Sequence, residues 1–318
     1  MERILNLLPL TDEERAQFLA AAPDADQVFI PTDDLTVTSD TASLAQIARA
    51  NIIFGNVPPH MLAGASGLRW LQTWSSGVDP YLAAGGLPQG VMLTSAVGAF
   101  GRSVSEHMLA CLMAVMKRLP AYGANQLHRV WHDEGRVQSL EGARVLLLGT
   151  GDIGSRLALM LKGMGSYVIG FNRHPNRPQP YCDEVYALSN LDALLPTADV
   201  VVMALPENPE TIRVLDEYRL SLLPAHAVIA NAGRGSAIDQ DALVAALRTG
   251  KLWGAALDVT TPEPLPSDSP LWDCPNLLLT PHVAGAAHLH QTVRQIVAIS
   301  VENLKHYMAG EPLRNRII

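Results

Sequence analysis

The chain has 318 residues, 48% of them hydrophobic and 17% charged, which excludes a disordered polar chain and is large enough for two hydrophobic cores. With 23 Lys and Arg against 31 Asp and Glu the formal net charge is -8, so the overall field opposes a polyanion and no nucleic acid partner is expected. The three cysteines, Cys111, Cys182 and Cys274, are widely spaced without a CxxC pattern, which argues against a disulfide framework or a zinc cluster and fits a reducing cytoplasm.

Residues 1–11 lack the charged start, apolar stretch and small-residue cleavage site of a secretory leader. The longest apolar run, residues 109–116, is too short to span a bilayer, so no membrane partner is expected. Apolar segments at 4–8, 27–30, 52–54, 70–73 and 92–94 alternate with helical patterns and predict a first parallel sheet, with no phosphate-binding loop. A helix is predicted over 103–119, with Ser103 at the N-cap and Glu106 at the capping-box position.

A second parallel sheet is predicted from six strands at 143–148, 167–171, 200–204, 228–231, 254–257 and 277–280, with 175–180 as a proline-rich surface loop. The amphipathic stretch 286–308 has no sheet of its own to continue and is expected to return to the first. Between the first two strands of the second sheet, Gly149-Thr-Gly151-Asp152-Ile153-Gly154 is a GxGxxG that follows a strand and opens a helix. In that context Gly149 permits the tight turn, Gly151 leaves room for a pyrophosphate and Gly154 lets helix and strand pack closely. The amides of the helix start, including Asp152 and Ile153, then face the phosphates. The predicted fold is therefore α/β with two doubly wound parallel-sheet domains. A Rossmann cofactor domain (99–285) is inserted in a flavodoxin-like substrate domain (1–98 and 286–318), the two crossings forming a hinge over a cleft.

At the end of the next strand, where a carboxylate often binds the ribose hydroxyls, stands Asn172, followed by Arg173, His174 and Arg177. A cation there pairs with the extra phosphate of NADP, so NADP is expected in preference to NAD.

Three further segments carry chemistry: Asn231-Ala232-Gly-Arg234-Gly235, Gly254 through Asp258 to Glu263-Pro-Leu, and Leu279-Thr-Pro-His282-Val-Ala-Gly285. Together with the glycine loop, Trp74-Ser-Ser76-Gly77-Val-Asp79 and Leu205-Pro206…Thr211, they resemble the D-isomer-specific 2-hydroxyacid dehydrogenases, and the glyoxylate/hydroxypyruvate reductases among them. Reduction of a 2-oxo acid needs a cation for the carboxylate, a donor that polarises the carbonyl and a proton for the developing alkoxide. Arg234 has the planar fork for the first two. His282 is the proton donor, since an imidazole ordinarily titrates near pH 6.5, and Glu263 orients and charges it. The resemblance assigns these roles too. It further implies that Asp258 and the Ala232 backbone hold the nicotinamide carboxamide, that Leu205, Pro206 and Thr211 line the cofactor cleft, and that the Ser76–Gly77 backbone contacts the substrate carboxylate. It implies D configuration in the product and a homodimer, because the region around Trp131 reaches a partner subunit in such proteins.

His128 and His132 share an i,i+4 face, but no third ligand is evident, so a solvated face is expected and no metal. His288 and His290 are expected on different helix faces. Trp74, Phe100 and Trp131 are candidates either for an apolar substrate pocket or for core packing. Two alternatives to an oxo-acid reductase stand: a phosphoglycerate dehydrogenase without a regulatory domain, since none follows Ile318, and a cofactor-sensing, corepressor-like binding protein.

Overall fold

A computed structural model describes residues 1–31, 42–83, 85–285 and 288–318. The chain divides into two compact units, residues 1–100 with 287–318, and residues 101–286. Each is built on one all-parallel sheet. No described helix is long and apolar enough to cross a membrane.

In the first unit β1 (Arg3–Asn6), β2 (Asp26–Phe29), β3 (Ile52–Phe54), β4 (Trp70–Gln72) and β5 (Met92–Thr94) pair in the order β2-β1-β3-β4-β5. The central strands are short runs of buried apolar residues, the pattern of strands covered on both faces. The closing helix His290–Ala309 belongs to this unit and packs against the helix Asp12–Ala21. Tyr307 stacks on Trp70 at 5.1 Å between ring centres. A buried polar chain adds to this contact: Trp70 Nε1 donates to Thr94 Oγ1 (2.8 Å), Thr94 donates to Gln72 Oε1 (2.7 Å), and Asn303 Nδ2 donates to the same oxygen (2.8 Å). Beyond the helix, Ile317 N donates to Leu93 O (2.8 Å) and Leu93 N donates to Ile318 O (3.4 Å), which covers the β5 edge.

In the second unit β6 (Arg144–Leu148), β7 (Tyr167–Phe171), β8 (Glu184–Tyr186), β9 (Val200–Met203), β10 (Val228–Asn231), β11 (Gly254–Leu257) and β12 (Leu277–Leu279) pair in the order β12-β11-β10-β9-β6-β7-β8. β9, β10 and β11 are buried along their whole length. The order reverses beside β6, so the loops after β6 and β9 flank the switch point where open α/β sheets bind ligands.

Several expectations are corrected. The second sheet has seven strands rather than six, because β8 is a short, half-buried edge whose Glu184 carboxylate accepts from Tyr167 and Tyr186, with no apolar run to announce it. The helix predicted over 103–119 is Gly101–Met116. Ser103 lies inside its first turn rather than at its cap, and Glu106 accepts from Arg102 Nε (2.8 Å). The chain then turns through Arg118 in the left-handed region and starts a separate helix, Leu119–His128, with proline near its beginning. Ala286, the expected start of the last helix, lies outside the described residues; the helix runs from His290, and His288 precedes it.

The polar chain around Asn303 yields a stability prediction. Asn303→Ala removes a donor from buried Gln72 and is expected to lower unfolding free energy by about 1–3 kcal/mol. Urea denaturation followed by circular dichroism checks it, and an unchanged midpoint would show that the network adds nothing.

Candidate active site

The loop after β6 is shaped by backbone contacts. Gly149 has φ +98° and lies against the Ala204 carbonyl, where a Cβ would come within 2.7 Å of the oxygen. A Cβ on Gly154 would overlap the Gly149 carbonyl oxygen. At Gly151 a Cβ would meet no atom within 4 Å, so the space above the loop is open. Gly151 is also the N-cap of the helix Asp152–Gly163 and offers no side chain to its first-turn N–H groups. The Asp152 carboxylate accepts from Arg156 Nε (3.1 Å), one turn further along the helix. An open cradle of unspent amides at a helix N-terminus fits the diphosphate of NAD(P).

Beyond β7 a cavity of about 850 Å³ is lined by Asn172, Arg173, Leu188, Ser189, Asn208 and Glu210, among others. Asn172 is held on both sides: its Nδ2 donates to Thr150 Oγ1 (2.6 Å) and its Oδ1 accepts from His174 N (2.9 Å). Arg173 reaches Glu210 at 4.0 Å, both exposed, an arrangement worth little in water. In the loop after β9, Thr211 donates to the Pro206 carbonyl (2.7 Å) and accepts from Asn208 N (2.9 Å). Thr211 is therefore committed to the shape of that loop. Leu205 stands beside Gly149 and Gly233 at its base.

The three proposed catalytic side chains follow the C-terminal ends of β10, β11 and β12, which are neighbours in the sheet. After β10, Asn231 stitches its own turn, accepting from Gly233 N (2.9 Å) and donating to the Arg234 carbonyl (2.8 Å). Ala232 N donates to Met203 O (3.1 Å), leaving the Ala232 carbonyl as the group it can offer a ligand. Gly235 packs directly on the Thr260 backbone, which sets the arginine turn against the turn that carries Glu263. Glu263 Oε1 accepts from Thr260 N (2.9 Å) and Oε2 lies 2.8 Å from His282 Nδ1. The carboxylate is thus oriented by a backbone amide and fixes the imidazole, so Nδ1 is engaged and Nε2 is the nitrogen able to exchange a proton.

His282 has φ +53°, a left-handed conformation that costs a non-glycine residue about 1–3 kcal/mol. Asp258, 4% exposed, compensates on both sides of it. Its main-chain oxygen accepts from His282 N (2.8 Å), and its carboxylate accepts from Val283 N (3.0 Å), Ala284 N (3.1 Å) and Thr280 Oγ1 (2.7 Å). A cavity of about 540 Å³ beside the pair is lined largely by apolar groups of Pro264, Leu265, Trp272 and Leu279.

Ser76 and Gly77 belong to the first unit, in the loop after β4, where Ser75 Oγ donates to the Gly77 carbonyl (2.6 Å). Trp74 and Phe100 pack together there, 6.5 Å between ring centres. His128 ends its helix and His132 lies beyond it, and among the described residues no group of three or more His, Cys, Asp or Glu could hold a metal ion. Sequence reasoning missed Thr260, Thr280 and His107, which supports Thr280 from the helix Gly101–Met116. Thr260 and Thr280 sit within the motifs already quoted, but His107 is 173 positions from its partner and carries no local signal.

The profile of the D-isomer specific 2-hydroxyacid dehydrogenase NAD binding domain matches residues 109–284. The structure is similar to a D-isomer specific 2-hydroxyacid dehydrogenase from Xanthobacter autotrophicus solved with NADPH and MES: TM-score 0.79 and 30% identity, covering 100% of this chain and 98% of that one. Glyoxylate/hydroxypyruvate reductase B of Pectobacterium carotovorum is 31% identical over 82% of this chain and 82% of its own length. D-3-phosphoglycerate dehydrogenase of Mycobacterium bovis is 29% identical over 94% of this chain, a match that spans only 52% of that protein. The open glycine loop, the ordered strand ends and these likenesses agree: the chain belongs to the D-isomer specific 2-hydroxyacid dehydrogenase family of NAD(P)-dependent oxidoreductases.

Proposed function

We propose that the protein reduces a small 2-oxo acid of the glyoxylate or hydroxypyruvate type to a D-2-hydroxy acid where a stereocentre forms, using NADPH in preference to NADH. The observation that carries this reading is the 2.8 Å contact of Glu263 with His282 Nδ1, next to the turn that bears Arg234. The bound nicotinamide supplies the hydride. Arg234 binds the substrate carboxylate and polarises its carbonyl, and His282 Nε2 delivers a proton to the oxygen as negative charge develops there. Glu263 balances the charge of the imidazolium before that transfer. The glyoxylate/hydroxypyruvate reductase among the relatives supports the substrate class.

Gly151, Asp152, Ile153 and Gly154 would hold the diphosphate through their amides. The Ala232 carbonyl and Asp258 would face the carboxamide, with Leu205 and Pro206 along the nicotinamide side and Thr211 keeping that loop in shape. Asn172 and Arg173 would take the adenosine ribose and its phosphate; Asn172 puts an amide where a carboxylate at the end of β7 would repel the phosphate, and Glu210, the exposed partner of Arg173, would have to give way to it. In this reading residues 99–285 form the cofactor domain and residues 1–98 with 286–318 the substrate domain, where the Ser76–Gly77 backbone meets the substrate carboxylate. We further read the chain as a cytoplasmic homodimer. Its three thiols are free, and the helix Leu119–His128 buries none of its residues, with Leu127 84% exposed and Trp131 fully exposed beyond it. Such an apolar arm fits a second copy.

Kinetics with an oxo-acid panel and both cofactors test the central claim. Glyoxylate or hydroxypyruvate should be reduced, with kcat/KM about tenfold or more higher for NADPH, the scale of one charge-assisted hydrogen bond. Exclusive turnover of D-3-phosphoglycerate, or a strong NADH preference, would overturn the corresponding part. Arg234→Ala should lower kcat/KM on the order of 100- to 1000-fold while sparing cofactor affinity. Gly151→Ala is expected to fold at a cost of at most about 1 kcal/mol, yet to weaken NADPH binding clearly in a calorimetric titration. Equal affinity would remove the loop from the binding site. Light scattering should give twice the 34.2 kDa chain mass, falling to the monomer in Trp131→Asp.

A further inference from the structure

The helix Gly101–Met116 packs across β10, β11 and β12 and carries a histidine outside the proposed catalytic set. His107 Nε2 lies 3.0 Å from Thr280 Oγ1, 3.3 Å from Cys111 Sγ and 3.6 Å from Asp258 Oδ1. Donor and acceptor rules orient this cluster. A carboxylate only accepts, so the single hydroxyl hydrogen of Thr280 is spent on Asp258 Oδ1 (2.7 Å). Thr280 Oγ1 can then only accept from the imidazole, which requires the hydrogen to sit on His107 Nε2. Cys111 adds no charge: burial, with the nearby Asp258 carboxylate, pushes its thiol up to about 11.

We infer that His107 is a positioning residue for His282, acting through Thr280 and Asp258. The function of His282 in this inference rests on the reading given above. The physical need is clear from the backbone. His282 stands in a conformation that a side chain-bearing residue seldom holds unaided, and the group that pins it is the Asp258 carboxylate, through Val283 N and Ala284 N. A buried carboxylate stays in one orientation when its oxygens are bonded by fixed donors. Thr280 is such a donor, and its own rotamer is set by His107 from a separate element. The chain of contacts runs from a rigid helix to the base of the proton-carrying ring without passing through substrate or cofactor.

The test compares His107→Leu, which fills the space without a donor, with His107→Gln, whose amide nitrogen can take the place of Nε2. Hydrogen exchange by mass spectrometry on a peptide spanning residues 280–285 reads the backbone directly. In His107→Leu this segment should exchange several times faster, and kcat should fall roughly tenfold, up to the about 100-fold that a 1 Å misplacement costs. KM for the oxo acid should change little, because the arginine turn is untouched. His107→Gln should restore both protection and turnover to near the original values. Unaltered exchange in His107→Leu would sink the proposal, as would equal impairment of both variants, which would assign the effect to the ring's bulk. Should the unmodified protein reduce no 2-oxo acid, the functional reading fails, and the exchange measurement still decides whether His107 holds the segment.

Discussion

A single buried carboxylate organises the end of the second sheet that carries the candidate active site. Asp258 follows β11 and receives hydrogen bonds from three residues of the segment after β12, while its main-chain oxygen takes the His282 amide. Parallel pairing of β11 with β12 brings these groups into register, since Thr280 N donates to Leu257 O as the sheet's last rung. Without that carboxylate the left-handed turn at His282 would keep only its main-chain bonds to Asp258 O and Thr280 O, and the imidazole would be held less firmly toward Glu263. The geometry of the proposed catalytic pair is thus a property of how two strand ends are tied, more than of the histidine itself.

The same economy governs the other end of the proposed site. Gly149 and Gly154 are required because backbone occupies the space of their side chains, whereas Gly151 faces open space. Two glycines therefore serve the fold and one leaves room for a ligand. The arginine turn follows this logic, with Gly235 seated on Thr260 so that Arg234 and Glu263 rise from touching loops.

Much of this was legible in the sequence because its signals are local. Buried strands announce themselves as short apolar runs, and the glycine loop has its meaning within six residues between a strand and a helix. Arg234, Glu263 and His282 are single residues with ordinary explanations when taken alone; only their resemblance to a family pattern made them candidates. The failures are equally physical. Ser103 and Glu106 have the spacing of a capping box, but the helix already begins at Gly101, so Ser103 lies inside its first turn, and Glu106 pairs with Arg102 four residues earlier on the same face. β8 has three half-buried residues and is an edge, so no periodicity marks it. His107 is invisible because its partners Thr280 and Asp258 meet it only after the helix docks on the sheet.

The net charge of -8 sharpens the meaning of the few cations near the site. Both the substrate class and the dinucleotide are anions, and the chain's overall field disfavours them. Attraction must come from short-range groups, in the proposed function the peptide amides at the start of the helix Asp152–Gly163, the Arg234 guanidinium and, beyond β7, Arg173. Such groups act strongly only where their geometry is held, because a flexible cation in water is screened within about 10 Å at 0.1 M salt. The structure meets that demand differently at each place. Amides are fixed by the helix itself, and Arg234 by the Asn231 stitch and its own contact with the Gly233 carbonyl (2.8 Å). Arg173 keeps a loose, exposed pair with Glu210. In the proposed function, rigidity is thus concentrated at the turn that would bind the substrate carboxylate, where the position of the reacting carbon would be decided, and relaxed at the distal end of the cofactor, where only affinity would be at stake.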